Sequence, residues 1–387
     1  MNCNLCGSDR VKELGLIGLQ AVSITSEPNF CSLPAKIYHC QNCNHIQKIY
    51  SQTEGSFIDS MYNQYDAYNI SRGDEQLIFP EGVSPRTRSY HALEQCISLL
   101  PESGKLLDIG TGNGTALKSA SQLLKNWKLF AFDIHDKFKE DVLKISGVEN
   151  FYVGNFKDIP VQKFDLIILW HSLEHIAEPR DFLNQIRDYL TEDGFFLIQV
   201  PNIHTMPFDL AVIDHCSHFT KSGLLKLSKA TGLVKVIDGA KWTHNCITLL
   251  LKRETNGLSP NESDYDSENV RPDSYFDWLR QTLKDFEKAT YNRKYAIFGT
   301  GISGIWIYSQ LSTPPSLFID EDSERIGHHI SNISIVNPKD IAESCDILMP
   351  FTYEIGMNIS VKMQKLYPIC KDCNFILSPP YPERESY

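Results

Sequence analysis

The sequence predicts an α/β protein with two parallel-sheet units in one chain of 387 residues. The first observation is an apolar, strand-like segment at residues 106–109 that runs into a glycine-rich turn at residues 110–114. The second is a series of later apolar runs that end in polar or acidic residues, as buried parallel strands commonly do. The third is a repeat of this pattern after residue 294. Together they predict a Rossmann-like core followed by a smaller Rossmann-like domain.

The glycine-rich turn is the most informative segment. Residues 106–114 read Leu-Leu-Asp-Ile-Gly-Thr-Gly-Asn-Gly. Glycines permit a tight turn that brings backbone N–H groups and a helix N-terminus close to a ligand. The Gly-x-Gly-x-Gly spacing resembles motif I of the class I S-adenosylmethionine (SAM) methyltransferases, whereas dinucleotide folds usually show Gly-x-Gly-x-x-Gly. The resemblance implies that the cofactor contacts Asp108, Gly110, Thr111 and Gly112.

The following strands extend the predicted SAM site. Residues 129–133 form a second apolar run whose terminal acid, Asp133, follows the glycines by about 20 residues, as a βαβ unit requires. A carboxylate there is placed to bind both ribose hydroxyls. Later runs end near residue 153 and at residue 170, and the Leu-Glu-His-Ile segment at 173–176 is similar to another landmark of these enzymes. The remaining predicted SAM-binding residues are Ile134, Asn155, Phe156 and Trp170.

Two Cys-x-x-Cys pairs near the N-terminus predict a metal site. Each pair, Cys3 with Cys6 and Cys40 with Cys43, can present two thiolates to one tetrahedral ion. We expect a structural Zn²⁺, because four thiolates leave no open position for catalysis. The alternative is four thiols without metal.

Composition and patterning predict four segments. Residues 1–72 form the zinc-binding module, and residues 73–253 form the methyltransferase core. Residues 254–273 are acidic, rich in Ser, Asn and Pro, and typical of a linker. Residues 274–387 form the C-terminal Rossmann-like domain, whose Gly-x-Gly-x-x-Gly turn at 299–304 is weak evidence for a nicotinamide cofactor. We expect this domain to bind substrate instead.

Charge and hydropathy limit the partners. The net charge of −11 and the lack of a basic stripe disfavour a nucleic-acid substrate. The sequence shows neither an apolar window of about 18 residues nor a basic and apolar signal peptide, so we expect no membrane association and a cytoplasmic location. A small-molecule substrate is the remaining expectation, and the oligomeric state stays open.

The order of the segments resembles one family over nearly the full length. A zinc module, a SAM core, an amphipathic helix and a small Rossmann-like domain are similar to the sugar C-methyltransferases that act on nucleotide-linked deoxysugars. The resemblance implies a nucleotide sugar, typically a 4-keto sugar, as acceptor. It also places Tyr65 and Tyr68 near the sugar, since they match the family's Tyr-x-Tyr-like segment.

The segment at residues 212–220, Val-Ile-Asp-His-Cys-Ser-His-Phe-Thr, resembles the family's catalytic motif Tyr-x-Glu-His-x-x-Tyr-Phe-Ser. His215 maps onto the implied base, while Val212 and His218 replace tyrosines. A carbon acceptor must lose a proton to a base, and histidine suits that task. Asp214 or Glu174 could orient the imidazole. The predicted catalytic residues are Asp214, His215, His218, His171, Tyr65 and Tyr68.

Three alternatives stay open. An O- or N-methyltransferase of the same architecture could act on another small metabolite, as the missing tyrosine at Val212 allows. A non-catalytic nucleotide-binding module could retain a vestigial SAM site, although the intact glycines and Asp133 argue against it. The His-x-x-His pair could instead bind a metal with Asp214 as third ligand.

Overall fold

The computed structural model describes most of the chain and confirms the α/β fold class. The described residues are 2–20, 22–26, 30–34, 36–62, 75, 77–78, 84–160, 162–243, 245–254 and 273–380. The strands are β1 Val11–Leu16, β2 Ser23–Ile24, β3 Phe30–Cys31, β4 Lys36–Cys40, β5 Ile46–Lys48, β6 Leu77–Ile78, β7 Arg86–Thr87, β8 Lys105–Ile109, β9 Lys128–Asp133, β10 Val148–Val153, β11 Phe164–Trp170, β12 Leu190–Pro201, β13 Ser217–His218, β14 Leu233–Asp238, β15 Cys246–Arg253, β16 Tyr295–Phe298, β17 Leu317–Ile319, β18 His329–Ile330, β19 Ile333–Val336, β20 Asp346–Met349 and β21 Asn374–Leu377. The α-helices are α1 Gln52–Tyr62, α2 Arg88–Cys96, α3 Thr115–Leu123, α4 Lys139–Val142, α5 Pro179–Tyr189, α6 Lys221–Ala230, α7 Asp273–Thr290, α8 Ile302–Gln310 and α9 Tyr353–Leu366.

A seven-stranded sheet forms the core, in the order β10-β9-β8-β11-β12-β15-β14. The strands from β10 to β12 run parallel, and β15 is antiparallel to both of its neighbours. The direction of strand addition reverses between β8 and β11. Ligands bind at the carboxyl ends of strands beside such a reversal. The predicted glycine turn follows β8 directly and therefore lies at this switch point.

The N-terminal sheet includes a strand from the predicted catalytic segment. Its order is β1-β4-β5-β13, and β13 pairs antiparallel with β5, so that Ser217 lies opposite Gln47 and His218 opposite Ile46. This pairing joins the N-terminal module to the predicted catalytic segment by backbone hydrogen bonds.

A third sheet, in the order β18-β19-β17-β16-β20-β21, belongs to the C-terminal unit. The strands are parallel except for the antiparallel edge pair of β18 and β19. Helix α7 precedes this unit and buries an apolar face with helical spacing, as predicted. The predicted boundary at residues 72 and 73 lies outside the described residues, and so do residues 255–272 of the predicted linker. The division into four segments remains a prediction.

All three units meet around residues 203–212. The Phe208 ring packs edge-on against Trp278 of α7 and Trp306 of α8, with centroid separations of 5.6 and 6.0 Å. Ile24 and Ile37 of the N-terminal module complete the same buried cluster. The chain that leads into the catalytic segment is thus packed against the N-terminal module and the C-terminal unit.

The C-terminal glycine turn depends on close helix–strand packing at Gly304. A Cβ atom at Gly304 would overlap the carbonyl oxygen of Gly299, whereas one at Gly301 would meet no atom within 4 Å. We expect Gly304→Ala to destabilise the C-terminal unit by about 1–3 kcal/mol, as overpacking typically does. Gly301→Ala is the matched control and should leave the thermal midpoint nearly unchanged in calorimetry. Equal midpoints for the two variants would contradict this packing.

Candidate active site

The predicted glycine turn has the geometry of a ligand-binding loop. Gly110 has φ +70°, and a Cβ atom there would collide with the Ser172 hydroxyl in the segment after β11. The Gly110 and Thr111 N–H groups donate to the Phe132 carbonyl at 2.9 and 3.1 Å. The turn is therefore held between the ends of β9 and β11, where only glycine fits at its first position.

Asp108 shapes this turn from within. Its carboxylate is 1% exposed and accepts a hydrogen bond from the Thr111 hydroxyl at 2.7 Å. Burial raises the pKa of Asp108 to about 7, because the charged form is poorly solvated there. The two residues thus contact each other, one at the strand end and one in the turn.

Asp133 lies beside the same turn. One of its carboxylate oxygens accepts from the Gly112 N–H at 2.9 Å, and the other accepts from the His135 N–H at 3.2 Å. Each oxygen retains a second lone pair for a further donor. Ile134 is 53% exposed, so the neighbouring apolar surface is open as well.

The other predicted SAM-binding residues differ in their surroundings. Asn155 is exposed, and its side-chain oxygen accepts from the Lys157 N–H at 3.0 Å. Phe156 points into the core, where its ring packs against Phe182 and Tyr189 at centroid distances of 5.1 Å each. Trp170 is buried, and its indole Nε1 has no hydrogen-bond partner within the described part of the chain.

His215 and His218 share one buried carboxylate. Each imidazole Nδ1 lies 2.6 Å from a different oxygen of Asp209. The exposed fractions are 5% for His215, 1% for His218 and 2% for Asp209. Burial alone would raise the pKa of Asp209, but the two imidazoles outweigh it and hold that pKa well below its usual range. The arrangement is an ionised carboxylate that orients two histidines.

Asp214 has a different role from the one that its position beside His215 suggests. Its carboxylate accepts from the Ser26 N–H at 2.8 Å and from the Ser26 hydroxyl at 2.6 Å. One of its oxygens lies 3.4 Å from Nδ1 of His175. Asp209, rather than Asp214, orients His215. In the sequence, Asp209 is distinguished as the lone charged residue of the apolar run 206–213.

The imidazole of His175 lies against that of His215. The rings of His175 and His215 are perpendicular, with centroids 4.6 Å apart.

Glu174 is 1% exposed, and its side chain lies 3.3 Å from Nδ1 of His171. Burial opposes the charged imidazolium, but Cys246 and Glu174 raise the pKa of His171 to about 10. Burial opposes the charge on His215 also, yet Asp209 raises the pKa of His215 above its ordinary value.

Helix α1 reaches the site from the N-terminal module. Tyr62 at its end places its hydroxyl 2.7 Å from Nδ1 of His175. The predicted site residues Tyr65 and Tyr68 follow this helix but lie outside the described residues. Tyr62 itself was missed by the sequence reasoning.

A cavity of about 260 Å³ lies next to His171. It is connected to the site through Cys246, whose sulphur lies 3.6 Å from Nε2 of His171. The cavity is lined by Asn202, Thr205, Lys221, Asp238, Ala240, Cys246 and Ile247.

The four N-terminal cysteines form a compact cluster. Sulphur–sulphur distances are 3.6 Å between Cys3 and Cys43 and 3.7 Å between Cys6 and Cys40. All four sulphurs lie within 4.8 Å of one another. Tetrahedral zinc with Zn–S bonds of about 2.3 Å requires edges of about 3.8 Å. The cluster could therefore bind zinc as it stands.

The two cysteine turns are near copies of each other. Gly7 and Asn44, which directly follow the second cysteine of each pair, have φ of +76° and +61°. Their N–H groups donate to the carbonyl oxygens of Cys3 and Cys40 at 2.8 and 2.9 Å. Both turns therefore orient their thiols in the same way, as a shared ion requires.

A family model and a curated relative match part of the chain. Residues 86–237 match the family model described as a methyltransferase domain. The Bacillus subtilis protein YrhH, named as a methyltransferase, is 30% identical over 110 residues, which are 26% of this chain and 59% of that protein. The chain thus spans about three fifths of that curated relative.

Two solved structures are also similar. A SAM-dependent methyltransferase from Clostridium acetobutylicum has 13% identity and a TM-score of 0.38, covering 51% of this chain and 99% of its own. A TehB-like SAM-dependent methyltransferase from Corynebacterium glutamicum has 14% identity and a TM-score of 0.36, covering 52% and 100%.

The family match and the sheet order both support a methyltransferase domain with a Rossmann-like sheet at residues 86–237. The cofactor that this class uses is SAM. Among the described residues, no helix combines the length and apolar character needed to cross a bilayer.

The cysteine cluster predicts about one bound zinc per chain. The double variant Cys40→Ser, Cys43→Ser should lose the metal, because two hydroxyls replace two thiolates. The matched control is Cys370→Ser, Cys373→Ser, which alters the other Cys-x-x-Cys pair and should retain it. Elemental analysis of the purified proteins measures both, and stoichiometric zinc in the first variant would refute the assignment.

We expect the Asp133 carboxylate to contribute to the affinity for SAM. Asp133→Ala removes the carboxylate that we expect to accept the ribose hydroxyls, and charged hydrogen bonds contribute about 1.5–3 kcal/mol each. Calorimetry should show SAM affinity reduced by about tenfold or more. Asp136→Ala, on the exposed surface nearby, is the control. Unchanged affinity in Asp133→Ala would mean that the ribose binds elsewhere.

Proposed function

We propose that this protein is a SAM-dependent C-methyltransferase whose acceptor is a nucleotide-linked keto sugar, with His215 as general base. The observation that carries the proposal is the buried pair formed by Asp209 and His215. The carboxylate oxygen lies 2.6 Å from the imidazole Nδ1. Because Nδ1 donates to this oxygen, Nε2 keeps its lone pair and can accept a proton.

The chemistry of a carbon acceptor explains why such a pair is needed. SAM supplies an activated methyl group, and the protein supplies placement of the acceptor. A carbon next to a carbonyl must first lose its proton, which passes to Nε2 of His215. Asp209 then stabilises the imidazolium, as a buried carboxylate does in other acid–base pairs. SAM held at the glycine turn would supply the methyl group to the resulting enolate carbon, and its sulphur would leave as a neutral thioether.

The enolate oxygen needs a positive or donating partner. His171 directly follows β11, and its Nδ1 lies 3.3 Å from the Glu174 carboxylate. Arg88 lies 3.3 Å from Nε2 of His171 and adds positive charge. These two side chains support the electrostatic stabilisation of a developing oxyanion. Tyr62 offers a further hydroxyl on the other side of His175.

The C-terminal turn supports substrate binding rather than a nicotinamide site. In a dinucleotide site, the acid after the second strand binds the ribose. Here one oxygen of Asp320 accepts from the Thr300 N–H at 2.9 Å and from its hydroxyl at 2.6 Å. Arg325 lies 3.5 Å from the same oxygen. Its other oxygen accepts from the Asp322 N–H at 3.0 Å. Three donors around one oxygen and a fourth at the other leave this carboxylate holding the loop, whereas each oxygen of Asp133 has a single donor.

An O- or N-methyltransferase is the second candidate. It is favoured by Val212, which stands where the family motif has a tyrosine. Val212 is fully buried in the cluster that joins the three units, so it offers no group to an acceptor. A non-catalytic nucleotide-binding module is disfavoured by the intact glycine turn and Asp133.

Mass spectrometry of SAM-dependent products from a panel of nucleotide sugars tests the acceptor. For the responsive acceptor, His215→Asn should lower turnover by about 10²-fold or more, because general-base catalysis typically contributes that much. SAM affinity should change little. The variant should also stop solvent deuterium exchange into the acceptor, which needs only the base.

His329→Asn, on the exposed edge strand β18, is the control and should behave as wild type. Methylated product without deuterium exchange in the wild-type enzyme would favour an oxygen or nitrogen acceptor. Turnover and exchange that both survive in His215→Asn would refute His215 as the base.

A further inference from the structure

A buried lysine from the zinc module completes the network around Asp209. Lys48, the last residue of β5, is 4% exposed. Its ammonium donates to the carbonyl oxygens of Val212 at 2.7 Å and His215 at 3.0 Å. The same ammonium lies 2.7 Å from Nε2 of His218. These three partners use all three of its N–H groups.

We propose that Lys48 is a positioning residue that fixes the tautomer of His218 and thereby sets the basicity of His215. The catalytic part of this inference rests on the proposed role of His215 as base. The structural part concerns only the protonation of two histidines in the resting protein.

The tautomer follows from donor and acceptor types. An ammonium group can only donate, so Nε2 of His218 must accept and carries no proton. The ring proton then resides on Nδ1, which lies 2.6 Å from the second oxygen of Asp209. Burial and the Lys48 charge lower the pKa of His218 to about 4, so the ring is neutral at neutral pH. Burial lowers the pKa of Lys48 only to about 8, so the ammonium persists.

Asp209 therefore accepts from two imidazoles at once. The hydrogen bond from His218 stabilises the negative charge of Asp209. It therefore weakens the attraction between Asp209 and a protonated His215. Without Lys48, His218 can place its proton on Nε2 and present a lone pair to Asp209. The carboxylate would then bind the His215 imidazolium more strongly, and the pKa of His215 would rise.

Other charged groups face this network from each element packed on it. Asp209, Asp214 and Cys216 face Lys48. The groups that face His215 are Asp209, Asp214, Glu174, His175 and His218. Only Lys48 and His218 are replaced in the variants below. The carboxylates that face His215 therefore stay in place and continue to favour its protonated form.

The pairing of β5 with β13 lets the N-terminal module supply a side chain to the candidate active site. Lys48 follows the second cysteine turn by five residues, and β5 delivers its side chain to a segment 170 residues away in sequence. The module thus contributes a charge to the interior of the candidate active site, in addition to any stability from its metal.

Nitrogen-15 NMR of histidine-labelled protein tests the proposal without any acceptor. The wild-type spectrum should show His218 neutral, with its proton on Nδ1, at pH 7. Lys48→Met should remove this preference and raise the pKa of His215 by about half a unit or more. The acid limb of acceptor deuterium exchange should move to higher pH by the same amount. Lys36→Met, at an exposed lysine of the adjacent strand β4, should change neither.

His218→Phe is the second variant, because it removes the donor to Asp209 while keeping Lys48. It should raise the pKa of His215 in the same direction. A wild-type His218 with its proton on Nε2, or a folded variant with an unchanged His215 pKa, would overturn the proposal. The NMR result does not depend on the acceptor, so a failed sugar assignment leaves it standing. Conversely, the expected tautomer with no turnover on any keto sugar would refute the proposed function alone.

Discussion

One buried carboxylate, Asp209, is the group on which the candidate active site depends. An ionised carboxylate removed from water is costly unless it is paired and hydrogen-bonded. Two imidazoles meet this requirement, each 2.6 Å from an oxygen of Asp209. Lys48 contacts one of them, His218, and supplies a compensating positive charge. Removing any one partner leaves an uncompensated charge or an unsatisfied donor. The positions of β5, β13 and the turn that carries Asp209 are therefore mutually dependent.

This dependence explains why three units converge on one short segment. The seven-stranded sheet places the glycine turn and Asp133 at the switch point, where we propose that SAM binds. The candidate acid–base groups come from residues 209–218, beyond the carboxyl end of β12. This segment gains its fixed geometry from the N-terminal sheet on one side and from α7 and α8 on the other. Cofactor binding and acceptor chemistry thus have separate structural supports.

The sequence predicts those features that local chemistry requires. The glycine turn is visible because Gly110 has a positive φ and no room for a side chain, and the cysteine cluster is visible from spacing alone. Lys48 could not be found this way, since its partners Val212, His215 and His218 come from the distant pairing of β5 with β13. Asp209 lies only six and nine residues from His215 and His218, but spacing alone does not show that one carboxylate contacts both rings. Phe156 shows a second limit, because a sequence run does not reveal that its ring faces the core. Asp214 is the nearer acid to His215 in sequence, but its carboxylate faces Ser26 and His175.

The most direct test of the account is a crystal structure of the protein with S-adenosylhomocysteine and a nucleotide keto sugar. The account predicts the acceptor carbon between the cofactor sulphur and Nε2 of His215, at about 3–3.5 Å from that nitrogen. His171 should face the sugar carbonyl oxygen. A sugar bound instead in the cavity between Asn202 and Asp238, with its carbon out of reach of Nε2 of His215, would contradict the central claim.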